Sequence, residues 1–162
     1  MISTQHHHDH NVIDNPLYQI EVLQNQLSAN TTEISRLEDL IMEANKKTDD
    51  IWNELSDEEE SETELNELEK VRIQIEDLKA RKEEMNVKTA NAFKNNQTTF
   101  YNMIQKFQGN QETLHMLYEQ QIAYLQFHIT STESTIQLYK TQLAEANERA
   151  NYAWNTVYGY SS

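Results

Sequence analysis

The chain has 162 residues with 2 Gly, 1 Pro, no Cys and a net charge of -14. So few turn formers exclude all-β and α/β folds, which need a Gly, Pro or Asn-Gly corner about every 8–12 residues. Hydrophobic residues make up 37 % against the roughly 45–50 % of ordinary globular domains, so a wide core is excluded and narrow apolar stripes along helices are expected.

Residues 1–15 have no hydrophobic period and read as a polar tail. Within it, His6-His7-His8-Asp9-His10 places His6, His8 and His10 on one side of an extended strand. There they form a candidate zinc or iron site; the alternative is a compositional His tract without a ligand. Asn15-Pro16 opens the first helix, because Pro at the first helical position gives up a donor that has no partner in any case. From there Ile20, Leu27, Ile34, Ile41, Thr48 and Leu55 recur every seven residues, with Leu23, Asn30, Leu37, Ala44 and Ile51 three positions after each. A seam held over five heptads requires a partner helix.

Past Leu55 the seam positions fall on Ser56-Asp57-Glu58-Glu59-Glu60-Ser61-Glu62, so the first helix is expected to end there rather than bury unpaired carboxylates. Ser56 with Glu59 and Ser61 with Glu64 have the spacing of capping boxes that start a second helix. Its seam runs through Leu65, Leu68, Val71, Ile75, Leu78 and Met85. It weakens at Lys82, Thr89, Ala92 and Asn96, and recovers at Phe100, Ile104 and Phe107. Gln108-Gly109-Asn110 is read as a turn, with Gly109 in a left-handed cap and Asn110 capping the next helix. The third seam follows Leu114, Leu117, Tyr118, Ile122, Leu125, Ile129, Ile136, Leu143, Ala150, Trp154 and Val157. Met103, Phe107, Met116 and Phe127 are read as seam residues too. Bends are expected at 28–32 and 130–135, where Ser and Thr compete for backbone hydrogen bonds.

The expected fold is an all-α, elongated antiparallel three-helix coiled-coil bundle with helices at 16–55, 62–107 and 111–157. Each helix is roughly 60–70 Å long at 1.5 Å per residue. The alternative keeps 62–157 as one continuous helix, since a lone Gly costs only about 1 kcal/mol inside one. The organisation is a tail at 1–15, one helical domain at 16–157 and an aromatic and Ser tail at 158–162.

Charge is divided along the chain: residues 1–84 hold 22 acidic and 8 basic side chains, residues 85–162 hold 5 of each. No basic patch exists for a phosphate backbone or anionic lipid, so direct nucleic-acid contact is not expected. The beginning of the sequence has neither the basic nor the apolar region of a signal peptide, and no apolar stretch has membrane-spanning length. The acidic run from Glu54 to Glu69, with Glu58, Glu59 and Glu60 at its centre, is read as a solvated face or a contact for a basic partner. Tyr152, Trp154, Tyr158 and Tyr160 have the composition of interface anchors. Glu112-Thr113-Leu114-His115 matches one half of a carboxylate-bridged di-metal motif. The other helical histidine, His128, has Leu125 three positions before it, so the second half is missing. The sequons at Asn30 and Asn96 sit in helical segments and are read as accidental. No catalytic constellation or phosphate-cradling glycine loop is present.

These features lead to the expectation of a non-enzymatic structural subunit, a spacer or connector in a multimeric assembly such as a virus or bacteriophage particle. Its partners would be copies of itself or other proteins. Two other readings are an acidic inhibitor that occupies a basic nucleic-acid-binding surface, and a membrane-active helical protein.

Overall fold

A computed structural model describes residues 15–55 and 62–159, without the side chains of 55 and 62–65. The histidines at 6, 8 and 10, both expected capping boxes, Glu58, Glu59, Glu60 and Tyr160 lie outside the described residues or rest on them. The protein is an all-α three-helix bundle, with no strand among the described residues. Helix α1 is Pro16–Leu55. Helix α2, Glu62–Glu84, continues through a π-helical turn, Met85–Thr89, into α3, Ala90–Lys106. Helix α4 is Gln111–Tyr158.

The helix starts follow from local chemistry. Asn15 accepts the Leu17 amide on its side chain at 3.0 Å, while its carbonyl accepts the Gln19 amide, so Pro16 begins α1 as its fixed φ favours. At the other punctuation mark, residues 107–109 turn and Asn110 Oδ1 accepts the Thr113 amide at 3.1 Å, the N-cap of α4. This turn rules out a continuous 62–157 helix. Gly109, however, does not take the left-handed conformation: no described glycine has a positive φ, and a Cβ at Gly109 would meet nothing within 4 Å. The turn is made by the hydrogen bond from the Asn110 amide to the Phe107 carbonyl.

By their contacts the described residues divide into two compact units, 15–32 with 90–134, and 33–55 and 62–89 with 135–159. The chain passes between units within the segments where bends were expected, at 32/33 and 134/135, yet α1 and α4 are unbroken there. In the first unit Ile20, Leu27, Phe100, Leu114, Leu117, Leu125 and Ile129 form the core. Contacts between Phe93 and Tyr124, Asn96 and Gln121, and Phe100 and Tyr118 make α3 and α4 antiparallel. In the second unit Ile34, Leu37, Ile41, Leu78, Ile136 and Tyr139 form one apolar cluster, and Ile51, Trp52, Leu68 and Ala153 another. There α1 runs antiparallel to α2, tied by Asp39 to Lys82 and Asp49 to Arg72. It runs parallel to α4, where Asn45 meets Arg149 and Trp52 meets Tyr152.

The weak middle of the second seam has a structural cause. From Val71 the inward positions step 75, 78, 82 and 85 in alternating fours and threes; then two successive steps of four lead to Thr89 and Phe93 before Asn96 and Phe100. One residue too many for a regular α-helix is taken up by the π turn at Met85–Thr89, whose wider coil holds the extra residue without breaking the helix. The expected seam residue Ala92 is therefore exposed, and Phe93 takes its place against the first unit's core. No residue of the π turn is buried.

Asn110→Ala is expected to lower stability by about 1 kcal/mol through loss of the cap. Gly109→Ala is expected to leave it unchanged or raise it slightly, since φ and space both permit Cβ. Thermal unfolding followed by circular dichroism checks both; a loss at Gly109 as large as at Asn110 would contradict the geometry of the turn.

Candidate functional site

Each helix of a three-helix bundle faces two neighbours, so it buries a third row of side chains beside the two of a simple seam. On α1 that row holds Glu38, Asn45 and Trp52, all buried. The second unit's two apolar clusters are separated by a polar layer made from this row. Asn45, 0 % exposed, donates to Gln74 Oε1 at 2.6 Å, and the Arg149 guanidinium donates to Asn45 Oδ1 at 3.1 Å and to Gln74 Oε1 at 2.6 Å. One side chain from each of α1, α2 and α4 meets there. Arg149 Nε is buried without a partner, so the layer is not fully satisfied and gives up stability for a fixed helix register.

One heptad to either side of Asn45 on the same row, the side chains serve different ends. Glu38 is 1 % exposed, with one carboxylate oxygen unpartnered. Burial pushes its carboxyl above the usual range, opposed by the charges of Lys82 and Arg81 and reinforced by Asp39. Arg81 pairs with Asp77 at 3.0 Å. Trp52 lies at the other end, its ring 6.2 Å from that of Tyr152 and tilted by 53°. Around this ring pair Thr48, Glu67, Val71, Glu145, Glu148 and Arg149 line an open cleft of about 350 Å³. Seam reading by apolar spacing passes over Glu38 and Asn45 because they are polar; their recurrence seven residues apart, in step with Trp52, is the signal that locates them.

The aromatic residues near the end of α4 do not form one cluster. Helical rotation sends Tyr152 toward Trp52, and sends Trp154, 51 % exposed, against Tyr158, the rings 4.5 Å apart and tilted by 50°, with Lys47 Nζ 6.0 Å from the Trp154 ring centroid. Trp154 is therefore not a seam residue. Ala153, fully buried between the two, fills that position because a small side chain lets helices approach. Tyr158 packs against the Ile51 and Ala153 cluster.

Three other expected seam residues are outside the core: Met103, Met116 and Phe127 are exposed, the last at 69 %. Met116 and Phe127 have helical spacing, but the inward rows of α4 pass through Gln121, Leu125 and Thr132 instead. Phe107 does pack against the core. His115 is on the surface, 3.0 Å from Glu119, and Glu112 is exposed, so Glu112 and His115 do not converge on a shared site. His128 is enclosed by Phe93, Tyr124 and Phe127, its ring 5.0, 4.5 and 5.2 Å from theirs, and burial lowers its pKa. Among the described residues no three His, Cys, Asp or Glu side chains are grouped to hold a metal ion. The two sequon asparagines are engaged between helices: Asn30 donates to Thr132 at 3.0 Å, and Asn96 accepts from Gln121 at 2.8 Å.

A carboxyl raised by burial favours the protonated folded state. Its contribution to stability is full below the unfolded-state carboxyl pKa and is lost as pH rises through the higher folded value. Glu38→Gln is thus expected to stabilise the protein near pH 7 by about 1 kcal/mol, the scale of one buried unpaired polar atom. The advantage should shrink toward pH 4. Urea unfolding of both proteins at the two pH values measures this; an advantage that grows on acidification would contradict the assignment.

No family model, curated protein or solved structure matches the chain.

Proposed function

We propose that the chain is a non-enzymatic helical connector, holding copies of itself or other proteins within an assembly through contacts on its outer helix faces. The observation that carries this reading is where large apolar side chains are left uncovered. Met116, 57 % exposed, and Phe127 lie three turns apart on one outer face of α4, with exposed Gln120 and Ala123 between them and no charge along that line. A chain with few hydrophobic residues that leaves these outside has a surface suited to contact.

The charge distribution supports the same reading. The described part of the first unit has only six acidic or basic side chains: Glu21, Lys94, Lys106, Glu112, Glu119 and Glu133. Asn, Gln, Ser and Thr make up most of its remaining polar surface, so electrostatic repulsion between copies through this unit is small. A virus or bacteriophage particle, in which many copies pack together, is the setting we favour on this composition. Nothing in the reading calls for a membrane, and no described helix is long and apolar enough to cross one.

Sedimentation velocity over a range of concentrations tests the connector. The wild-type chain is expected to form oligomers, and the double variant Met116→Glu with Phe127→Glu to remain monomeric with unchanged helix content. Both positions are exposed, so the substitutions should not disturb the core. A wild-type protein that is monomeric at every concentration, or a variant of the same assembled mass, would sink the proposal.

A further inference from the structure

We infer that the joint between the π turn and the α1–α4 pair of the second unit is a proton-operated gate, closed while Glu38 is protonated and opened to water when Glu38 ionises. Three features of one place support it. Glu38 on α1 is 1 % exposed, and one of its carboxylate oxygens has no partner. Beside it lies an open recess of about 280 Å³, lined in part by Glu38, Arg81, Glu84, Met85, Thr89 and Tyr139. A polar space of that size holds several waters. The wall of the recess made by the π turn is weakly held: none of its residues is buried, Val87 is 53 % exposed, and Met85 alone packs against the apolar cluster of Ile41 and Leu78. Such turns recur at functional places in helices.

The surrounding charges leave ionised Glu38 without a counterion of its own. From α2, Arg81 pairs with Asp77 at 3.0 Å, and Lys82 pairs with Asp39 of α1. Glu84 lines the recess from the same helix. Tyr139 of α4 lines it too, with a phenol that is uncharged near neutral pH. Ionisation of Glu38 therefore sets it, Asp39, Asp77 and Glu84 against the two cations. Burial raises its carboxyl above the ordinary range, with Lys82 and Arg81 opposing. A buried charge in want of a partner is relieved by hydration. Water reaches this one through the recess, by moving the π turn aside. The other route, parting α1 from α4, breaks the contacts of Leu37, Ile41 and Ile136, all buried. The sign follows from the raised carboxyl: the closed form is complete at acid pH and is lost as pH rises through the folded value. Urea unfolding reads how much stability Glu38 withholds; the gate adds where the chain yields, with the rest of the unit still folded.

The gate goes beyond the connector reading and does not depend on it, since it uses none of the residues of the Met116 and Phe127 face. The chain has no Cys, so a single introduced thiol reports one position. Met85→Cys puts it on the packed side of the π turn, Val87→Cys on the exposed side of the same turn, and Ala153→Cys in the unit's other apolar cluster. The rate of reaction of each with dithiodipyridine is followed from about pH 4 to about pH 8, and division by the Val87→Cys rate removes the pH dependence of the thiol itself. The Met85→Cys ratio is expected to rise roughly tenfold over that range, and to stay level once Glu38→Gln is added. The Ala153→Cys ratio is expected to stay level in both backgrounds. Circular dichroism verifies the fold of each variant, and Thr89→Cys, half-buried in the same recess, is the second reporter should Met85→Cys not fold. A level Met85→Cys ratio in the Glu38 protein, or the same rise after Glu38→Gln, would overturn the gate. So would a parallel rise at Ala153→Cys, which signals that the whole unit opens.

Discussion

A helix that touches two others must bury three rows of side chains, and this chain does not have enough apolar residues to fill them. Its composition, 37 % hydrophobic, accounts for the polar groups found inside: Glu38, Asn45, Thr48, Gln121 and Thr132 all occupy inward positions. Each must find a partner or carry the cost of lost hydration. Thr48 and Thr132 turn their hydroxyls back to carbonyls of their own helices, Gln121 reaches Asn96, and Asn45 joins Gln74 and Arg149. Only Glu38 keeps an oxygen without a partner among these five. Burial of polar side chains is thus a direct outcome of fold and composition, and it fixes which residues of neighbouring helices stand level. An apolar seam tolerates sliding by a heptad, whereas a hydrogen-bonded layer drawn from three helices does not.

The same scarcity gives meaning to the apolar side chains on the outside. Scattered surface leucines are ordinary, but Met116 and Phe127 lie on one line, while Gln121 and Thr132 are buried on the same helix. Exchanging these roles would have strengthened the first unit as an isolated body. Their present arrangement fits a surface made for contact, which is the basis of the connector proposal. The second unit differs in kind: its outward chemistry is charge, with the rings of Tyr152 and Trp154 set among carboxylates and lysine.

How much of this was legible beforehand depended on whether a signal was strictly periodic. The seam of α1 repeats without a slip from Ile20 to Ile51, and its members are buried or half-buried. Asn15, Pro16 and Asn110 carry their helix boundaries in their own side chains, so those starts could be read locally. Past Met85 the second seam is misread at one position, Ala92, which is exposed while Phe93 packs inward, because a heptad count assumes a constant pitch and the π turn changes it. On α4 the reading favoured large residues, which placed Trp154 inside. The helices approach over Ala150, a seam residue by its spacing, and over Ala146 and Ala153, whose small size is the structural reason for their position. The cleft at Trp52 was beyond reach, since its lining comes from three separate segments joined only by folding.

The π turn has one further effect. A surplus residue in a bundle helix is commonly discharged into a loop, and a loop exposes main chain that proteases can enter. Here the surplus is held within a helical coil, so the polypeptide changes phase between its second and third helices while its amides stay bonded to carbonyls one turn away. The segment with the fewest buried side chains is consequently shielded from cleavage by its own backbone rather than by packing.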